Sequence, residues 1–592
     1  MAFCKAMNNF TVNEKGNITN SLEGSADKCL GMVNLWNNAI GKRGGGKGGG
    51  KGSKGFGKGG KGFGKGGNNS SCEIDETKLN ETVDFIYNNI DNLDTLVEKK
   101  KYWTYYTKLL FKIRDHKDGN GERLYFYKLF LRLYEKIPAI ATGTLGLLTG
   151  GYDNNMELDN EKPFGGFMDL NKLYDLCEEK HKNLKTAIVN YYIKCMIKDR
   201  YAVAPSLAVK WIPRENKNHD ILAKEIAASL FVDNEPLHKK MKKYRQFIKD
   251  VMDKIVIIEK LMTEGRWDEI EIKNIGSKAL LKYLYAFKNE DKKTGAIRHP
   301  EDEKRMILRE KMLTEFNKSP EESRMNVSVL QPYEITRDII NGKLLPEQEA
   351  DVISMWSKFE YEWNKDLEEA NINEDAMDMV IMSDVSYSMS GIAMEACIAL
   401  SLLFANRLKG PWRNKVLTFD SKPVWFDIPE HMNIVQKIKH LLEAPWGGTT
   451  NIGLALERML DIAVKNKVKP EDMPRKLLIL SDMQFDQACQ HGDEFLTGYE
   501  FIESKYKSYQ LPMPHIIFWN LRGNTSGYVN KSNQTGTTMM SGFGASSFKA
   551  FMGGKFNIEN TPWDTLKDML DSERLRKLDK ILNIYLCSVN IK

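Results

Sequence analysis

This chain of 592 residues has little of what marks membrane, secreted or zinc-dependent proteins. No apolar run reaches the roughly 18 residues that cross a bilayer, and the first residues lack the charged and apolar regions of a secretory signal. The eight cysteines are scattered without CxxC pairs, and the nine histidines show no HExxH spacing. We therefore expect a cytoplasmic protein with reduced thiols, no membrane partner, no disulfide framework and no transition-metal site.

Motifs of covalent and nucleotide chemistry are also missing. The Gly-x-Ser-x-Gly of a nucleophile elbow is absent, and the Gly-rich stretch 542–547 lacks the Lys-Ser/Thr end of a phosphate-binding loop. We therefore expect a protein that is not an enzyme. A metal-dependent hydrolase is the weakest alternative, since no general base or second metal cluster is evident.

Positive charge is concentrated in one low-complexity segment. Residues 42–65 hold seven Lys, one Arg and no acid, a charge of +8 in a chain whose net charge is +6, which leaves −2 for the remainder. The surrounding stretch 41–71 repeats Lys-Gly-Phe-Gly-Lys-Gly-Gly and is too rich in Gly to offset its ordering entropy, so it is predicted to be a disordered insertion.

This insertion has two interpretations. It is either a solubilising flexible loop or a nucleic-acid tether, in which cations displace counterions from phosphates and Phe rings stack on bases. The candidate nucleic-acid contacts are Lys42, Arg43, Lys47, Lys51, Lys54, Phe56, Lys58, Lys61, Phe63 and Lys65.

The next part of the chain has the periodicity of amphipathic helices. From about residue 81 to 365, apolar residues recur three and four apart, for example over 102–113 and 247–262, and Pro or Gly interrupts the runs. The pattern predicts a solenoid-like or irregular α-helical domain over 72–375, with 1–40 as its N-terminal segment. Arg114, Asp115 and Arg123 are interpreted as residues that brace a helical turn by ion pairing.

After residue 376 short apolar runs alternate with helical patterns. Such alternation predicts a doubly wound parallel sheet, so the fold class is multidomain, α plus α/β, with an α/β domain over 376–592 that includes C-terminal helices. Only the four residues 420–423 separate the apolar runs 415–419 and 424–428, which predicts a hairpin and an antiparallel edge strand. The predicted strands are 378–383, 415–419, 423–428, 476–481, 514–521 and 536–541.

Three strand-end loops carry hard oxygen ligands. Asp384, Ser386 and Ser388 follow the first strand, a Gly-rich loop offers Thr449 or Thr450, and Asp482 follows a later strand. Carboxyl ends of parallel strands meet at one edge of the sheet, where open α/β sheets bind ligands. Oxygen donors suit Mg²⁺ first, with Mn²⁺ or Ca²⁺ as alternatives. Asp and Ser are also favoured at helix N-termini, which is the structural alternative for the first cluster.

The order Asp-x-Ser-x-Ser, then Thr, then Asp resembles the metal-ion-dependent adhesion site of von Willebrand A-type domains. The resemblance implies a metal held by Asp384, Ser386, Ser388, Thr450 and Asp482, Thr450 being preferred to Thr449 because Thr-Asn is the commoner family form. In that family one coordination position stays open for an acidic group of a partner. Position 387 departs from the pattern, since it is Tyr where Gly is usual.

Blocks such as 206–213, 481–488 and 517–522 resemble domain-of-unknown-function family 2828, which has plant, fungal and giant-virus members. The resemblance covers roughly residues 75–590 and implies a helical region followed by a von Willebrand A-type domain. That architecture is similar to the Ro autoantigen, a ring of helical repeats that binds non-coding RNA. The composition favours a giant-virus member, located in the host cytoplasm or the virion.

Two functions are therefore expected, in order of preference. The first is binding of RNA or a ribonucleoprotein through the helical domain and the basic insertion. The alternative is a protein-interaction scaffold whose divalent cation captures an Asp or Glu of a protein partner. Steep salt dependence of RNA binding favours the first, and divalent-dependent capture that ignores RNA favours the second.

Overall fold

The computed structural model describes the chain from near its N-terminus to residue 588, with gaps. The described residues are 10–12, 18–20, 32–33, 35, 76–150, 163–203, 205–369, 378–385, 389–408, 410–418, 423–444, 452–482, 502–521, 536–543 and 561–588. The predicted insertion 41–71, with all its candidate nucleic-acid contacts, lies outside these residues. Across these described ranges, no helix is both long and apolar enough to cross a bilayer.

The first group of helices follows a short antiparallel pair, β1 Phe10–Val12 and β2 Ile18–Asn20. Local signals explain several boundaries: Thr95, for example, accepts a hydrogen bond from the backbone N–H of Glu98 and so caps the second helix. The helices are α1 Glu76–Asp91, α2 Leu96–Arg114, α3 Leu124–Lys136, α4 Pro138–Gly143, α5 Phe167–Leu176, α6 Lys182–Tyr201, α7 Ala208–Trp211, α8 Asp220–Leu230 and α9 Leu237–Met252.

The second group of helices lies between residues 258 and 369. The single helical run predicted over 247–262 is wrong, because α9 ends at Met252 and the next helix begins at Ile258. The β-branched run 255–258 disfavours helix, and Lys260 pairs with Asp253 across the break at 2.9 Å. These helices are α10 Ile258–Thr263, α11 Ser277–Phe287, α12 Glu303–Phe316, α13 Pro332–Ile340 and α14 Glu349–Glu369.

The C-terminal region contains strands and helices in alternation. The elements are β3 Met379–Ser383, α15 Ile392–Ala405, β4 Lys415–Thr418, β5 Trp425–Asp427, α16 Ile434–Leu442, α17 Ile452–Lys465, β6 Lys476–Ser481, β7 His515–Asn520, β8 Thr537–Ser541, α18 Pro562–Leu570 and α19 Glu573–Ser588. The strands form one six-stranded sheet in the order β5-β4-β3-β6-β7-β8. Neighbouring strands are parallel except at β4–β5, so the predicted edge hairpin is confirmed, as is an α plus α/β layout.

Buried apolar side chains form two separate cores. The first core contains side chains of α1–α9 together with α18, α19 and Met539 of β8. The second contains side chains of α10–α14 together with the sheet and the helices that flank it. The helical region is thus shared between two cores, and the C-terminal helices return to the first. The predicted domain limits stay a prediction, since packing alone does not say which segments fold independently.

Ion pairs tie the C-terminal helices to the first group of helices. Arg574 of α19 donates two hydrogen bonds to Asp115, with Nε–Oδ2 at 2.6 Å and Nη2–Oδ1 at 2.9 Å. The adjacent Arg114 donates to Asp169 Oδ2 at 2.7 Å. The predicted ion pairing of Arg114 and Asp115 is therefore confirmed, and their partners lie in distant segments of the chain.

Candidate functional site

The two predicted acidic ligands lie at the same edge of the sheet. Asp384 and Asp482 directly follow β3 and β6, which are neighbours in the middle of the sheet. Ser383 lies opposite Leu480, which places Asp384 level with Ser481 and Asp482 one residue further along. Backbones of neighbouring strands are about 4.8 Å apart. The chain thus brings these two carboxylate-bearing positions together.

The Asp384 side chain is oriented by the neighbouring strand. Asp384 is only 1% exposed, because β3 is buried along its whole length. Its backbone N–H donates to the carbonyl of Leu480 at 2.9 Å, and its Oδ2 accepts a hydrogen bond from Ser481 Oγ at 2.7 Å. The Ser481 hydroxyl therefore fixes this carboxylate, a role that the sequence analysis did not assign.

Neutral polar groups lie beneath the carboxylate, between β3 and α15. The hydroxyl oxygens of Ser383 and Ser401 are 2.5 Å apart, and Ser401 donates to the carbonyl of Cys397 at 2.7 Å. Burial raises the pKa of the Cys397 thiol well above its ordinary value, and the charge of Asp384 raises it further. Cys397 therefore stays a neutral thiol.

A row of buried polar side chains runs along this edge. Register places Asp384, Ser481, Asn520 and Ser541 at one level on four neighbouring parallel strands. Level residues of parallel strands point to the same face of a sheet. At the end of the row, Asn120 Nδ2 donates to Ser541 Oγ at 3.1 Å. The loop between α2 and α3 therefore reaches the edge that carries the two acids.

The second group of helices also contacts this edge. Arg337 Nε of α13 lies 2.7 Å from Glu395 Oε2, and Asn341 Nδ2, just after the end of α13, donates to Glu395 Oε1 at 2.8 Å. Glu395 is in the first turn of α15, the helix that follows the predicted ligand loop. The rings of Tyr333 and Phe543 meet edge to face with centroids 5.8 Å apart. Both groups of helices therefore contact the candidate site region.

The remaining predicted ligands, Ser386, Ser388 and Thr450, and the alternative Thr449, lie outside the described residues. Among the described residues, no group of three or more His, Cys, Asp or Glu side chains could hold a metal ion. The predicted set contains only two carboxylates, and its other donors are hydroxyls. Two buried carboxylates on adjacent strand ends are hard oxygen donors of the kind that Mg²⁺ takes. The donor chemistry present fits such an ion, and the complete ligand set stays a prediction.

Two contacts at this edge were missed by the sequence analysis for different reasons. Ser481 immediately precedes Asp482, and parallel register between two predicted central strands would have placed it beside Asp384. Asn120 carries no such signal, because its partner Ser541 is 421 residues away. Only the folded chain reveals that contact.

The fold and the edge define an α plus α/β protein with a pair of buried acids at adjacent strand ends. Residues 378–583 match a family described as "Domain of unknown function (DUF7788)", a span that begins one residue before β3. The chain is also 26% identical over 483 residues to "Uncharacterized protein L728" of Acanthamoeba polyphaga mimivirus, with 78% of each chain covered. A domain-of-unknown-function family with a giant-virus relative is thereby supported. Family 2828 and the von Willebrand and Ro likenesses remain predictions.

Proposed function

We propose that this chain is a non-enzymatic binding protein for RNA or a ribonucleoprotein, with a von Willebrand A-type module that holds a divalent cation. The observation that carries the proposal is the placement of Asp384 and Asp482, both at most 1% exposed, after neighbouring central strands. In open α/β sheets the ligand binds at this carboxyl edge. The family matched by residues 378–583 has no stated activity, so the proposal depends on the site.

Asp384, Asp482 and the hydroxyls of Ser386, Ser388 and Thr450 are the proposed ligands of this cation. Mg²⁺ is the expected ion, with Mn²⁺ or Ca²⁺ as alternatives, because all the donors are oxygens. When bound, the ion supplies positive charge and one open coordination position for an anionic oxygen. Ser481 holds the Asp384 carboxylate in a fixed direction, and burial strengthens its interaction with a cation.

RNA is the preferred anionic partner because the insertion adds eight cations near the start of the chain. Phosphate oxygens are common ligands of protein-bound Mg²⁺, so RNA can supply both the phosphates for the cations and the missing ligand. The second candidate is a protein-interaction scaffold, in which a partner's Asp or Glu completes the shell. The acidic pair at the strand ends favours the scaffold as much as it favours RNA binding, since a partner's carboxylate is as hard an oxygen donor as a phosphate.

The two candidates differ in their response to salt and chelator. We would measure binding of a labelled RNA to the purified full chain by fluorescence anisotropy, across a salt series, with and without EDTA. RNA binding that weakens steeply with salt supports the first candidate, since counterions are released on binding. Absence of RNA binding at every salt concentration contradicts it. Divalent-dependent binding of an Asp- or Glu-rich peptide would then favour the scaffold.

The ligand role of Asp384 is tested separately with Asp384→Ala and Asp384→Asn. We expect both variants to lose Mg²⁺ and Mn²⁺ binding in calorimetric titrations. Asp384→Ala should also lower the free energy of unfolding by about 1–3 kcal/mol, because Ser481 loses its hydrogen-bond acceptor. Relief of the repulsion between the Asp384 and Asp482 carboxylates should offset part of this loss. Asp384→Asn retains an acceptor and should cost less.

The control is Asp378→Asn, which removes a carboxylate directly before the other end of the same strand, where Arg475 lies 3.5 Å away. Cation affinity should be unchanged in this variant. Unchanged affinity in both Asp384 variants would instead exclude the ligand role.

A further inference from the structure

Positive charge in the helical region is concentrated in residues 182–252 and is absent, as a net charge, from residues 253–369. Residues 182–252, which span α6 to α9, contain 15 Lys and Arg against 7 Asp and Glu, a net charge of +8. Residues 253–369 contain 20 basic and 25 acidic residues, a net charge of −5. Helix α9, Leu237–Met252, is the most concentrated part, with six basic residues and one acid. The helical region therefore carries a basic patch of its own, separate from the insertion.

The cations of α9 lie on its solvent side. The opposite side is buried in the first core through Met241, Tyr244, Phe247, Ile248 and Val251. Lys239, Lys242 and Lys249 are exposed and form no salt bridge with any described residue. We call these three residues the α9 basic face. They are three and seven residues apart along one side of the helix, so the face spans about 15 Å.

Neighbouring cations of α9 are already neutralised. Lys243 pairs with Asp233 at 2.6 Å and with Glu235 at 2.8 Å, and Arg245 pairs with Glu215. The unpaired ones form a line to which a chain of phosphates is complementary.

An exposed aromatic ring lies at the end of α6, where that helix contacts α9. Tyr201, the last residue of α6, is 79% exposed. The preceding residue, Arg200, places its guanidinium 5.7 Å from the ring centroid of Phe247 in α9, and its carbonyl accepts from Lys254 at 2.8 Å. These contacts hold the end of α6 against the C-terminal half of α9. The surface thus combines cations with an accessible ring, as single-strand-binding surfaces do.

We propose that the α9 basic face and Tyr201 form a docking surface for single-stranded RNA, with the three lysines on phosphates and Tyr201 stacked on a base. The proposal rests on the proposed RNA-binding function and names its surface. A lipid surface is less well matched, because binding to a membrane interface requires an apolar helix face, and that of α9 is buried in the core.

The test uses the full chain with Lys239→Gln, Lys242→Gln and Lys249→Gln combined. The probe is a labelled 20-nucleotide single-stranded RNA of mixed sequence, followed by anisotropy from 50 to 300 mM salt. Each lost phosphate contact lowers the salt slope by about 0.7, so we expect a slope shallower by about 2 and an affinity about 100-fold lower at 0.1 M salt. Thermal unfolding should be unchanged, since the three side chains are exposed.

The matched control is the triple variant Lys465→Gln, Lys467→Gln and Lys469→Gln. These three lysines are also exposed and form no salt bridge among the described residues, but they lie at and just after the end of α17 in the α/β region. The control removes the same charge and should keep the wild-type slope. Tyr201→Ala should lower affinity about tenfold without changing the slope, and Tyr201→Phe should bind as wild type.

The outcomes separate the two proposals. If the wild-type chain binds no RNA with salt dependence, the proposed function fails and this docking surface with it. If the wild type binds RNA and the α9 variant matches the control, the docking surface is overturned while the proposed function stands. If the α9 variant keeps RNA binding but loses binding to phosphatidylserine vesicles, the occupant is a lipid surface and the RNA assignment is overturned.

Discussion

The first core of this molecule joins two segments far apart in the chain, whereas the second is built mainly from one continuous stretch. Helices α1–α9 pack with α18 and α19, more than 300 residues later, and the second core lies between residues 258 and 543. The first core therefore cannot be completed until the C-terminal helices return. Bringing two distant segments together costs loop-closure entropy before their contacts can stabilise the fold. We therefore expect the first core to depend more than the second on specific contacts between its two segments.

Those specific contacts are charged and largely buried. Asp115 is 1% exposed and receives two hydrogen bonds from Arg574, and Lys108, also buried, lies 2.8 Å from Asp579. At the second core, the α13–α15 contact pairs Arg337, whose side chain is 41% exposed, with Glu395. Loss of a buried partner costs more than loss of an exposed one, because it leaves an uncompensated charge.

The largest effect is expected from Arg574→Ala. The variant leaves the Asp115 carboxylate buried without its bidentate partner, which typically costs about 3–5 kcal/mol. Urea denaturation followed by far-ultraviolet circular dichroism measures the change. The control is Arg576→Ala on the same helix. Its exposed side chain donates to the carbonyl of Asp571, and its removal should cost less than about 1 kcal/mol.

A double variant sharpens the result. Asp115→Asn removes the charge that Arg574 compensates, so the combined variant should be less destabilised than the sum of the two single changes. If Arg574→Ala lies within about 1 kcal/mol of wild type, the buried pair does not hold the C-terminal helices and the first core is less dependent on it than we infer.

The second largest effect concerns Lys476, at the start of the central strand β6. Lys476 is 3% exposed, and burial lowers its pKa from 10.5 to about 8. Its folded pKa lies below its unfolded pKa, so the unfolded chain binds more protons between pH 8 and 10.5. The penalty is thus fully present below pH 8, where it amounts to about 3 kcal/mol, and is lost as pH rises to 10.5.

Lys476→Met should therefore stabilise the second core at pH 7, and its advantage over wild type should shrink as pH approaches 10. The unfolding midpoints of both proteins at pH 7, 8.5 and 10 give the difference in stability between them. The titration of other groups cancels in this difference, because both proteins contain those groups. Lys415→Met removes a partly exposed lysine of β4 that pairs with the exposed Asp427, and it serves as the control with a small and pH-independent effect. A Lys476→Met protein that is less stable than wild type at pH 7 would contradict the expectation.

The contrast between the cores also explains what the sequence could predict. The strands were located within about two residues because each buried strand is a short apolar run with clear boundaries, and the edge hairpin followed from a four-residue connection. Placement of Asp384 and Asp482 at one edge followed from the same pattern. The contribution of Ser481 depends on strand register, which periodicity alone does not specify.

Contacts between distant segments were beyond the reach of local patterns. Arg114 and Asp115 are adjacent charged residues at the end of a helix, and nothing nearby indicates that one pairs with Asp169 and the other with Arg574. The break between α9 and α10 was missed for a different reason. Apolar periodicity continues through 253–257, and the preference of β-branched residues against helix decides the local structure there.

The smallest effect on stability is expected where the sequence signal is strongest, in the basic insertion. Removing residues 41–71 should change the unfolding free energy by less than about 0.5 kcal/mol, because an insertion predicted to be disordered adds little to either core. RNA affinity should nevertheless fall, and the salt slope should become shallower by up to about 5–6 if all eight cations contact phosphates.

A variant of equal length, with the seven Lys and Arg43 changed to Ser, separates the effect of charge from that of length and should behave like the deletion. Combined with the α9 substitutions, the two slope changes should add, since the insertion and the α9 basic face would contact different phosphates. Equal affinity and equal slope for the full chain and the deletion would make the insertion a spacer, and would move the preference from RNA binding to a protein-interaction scaffold.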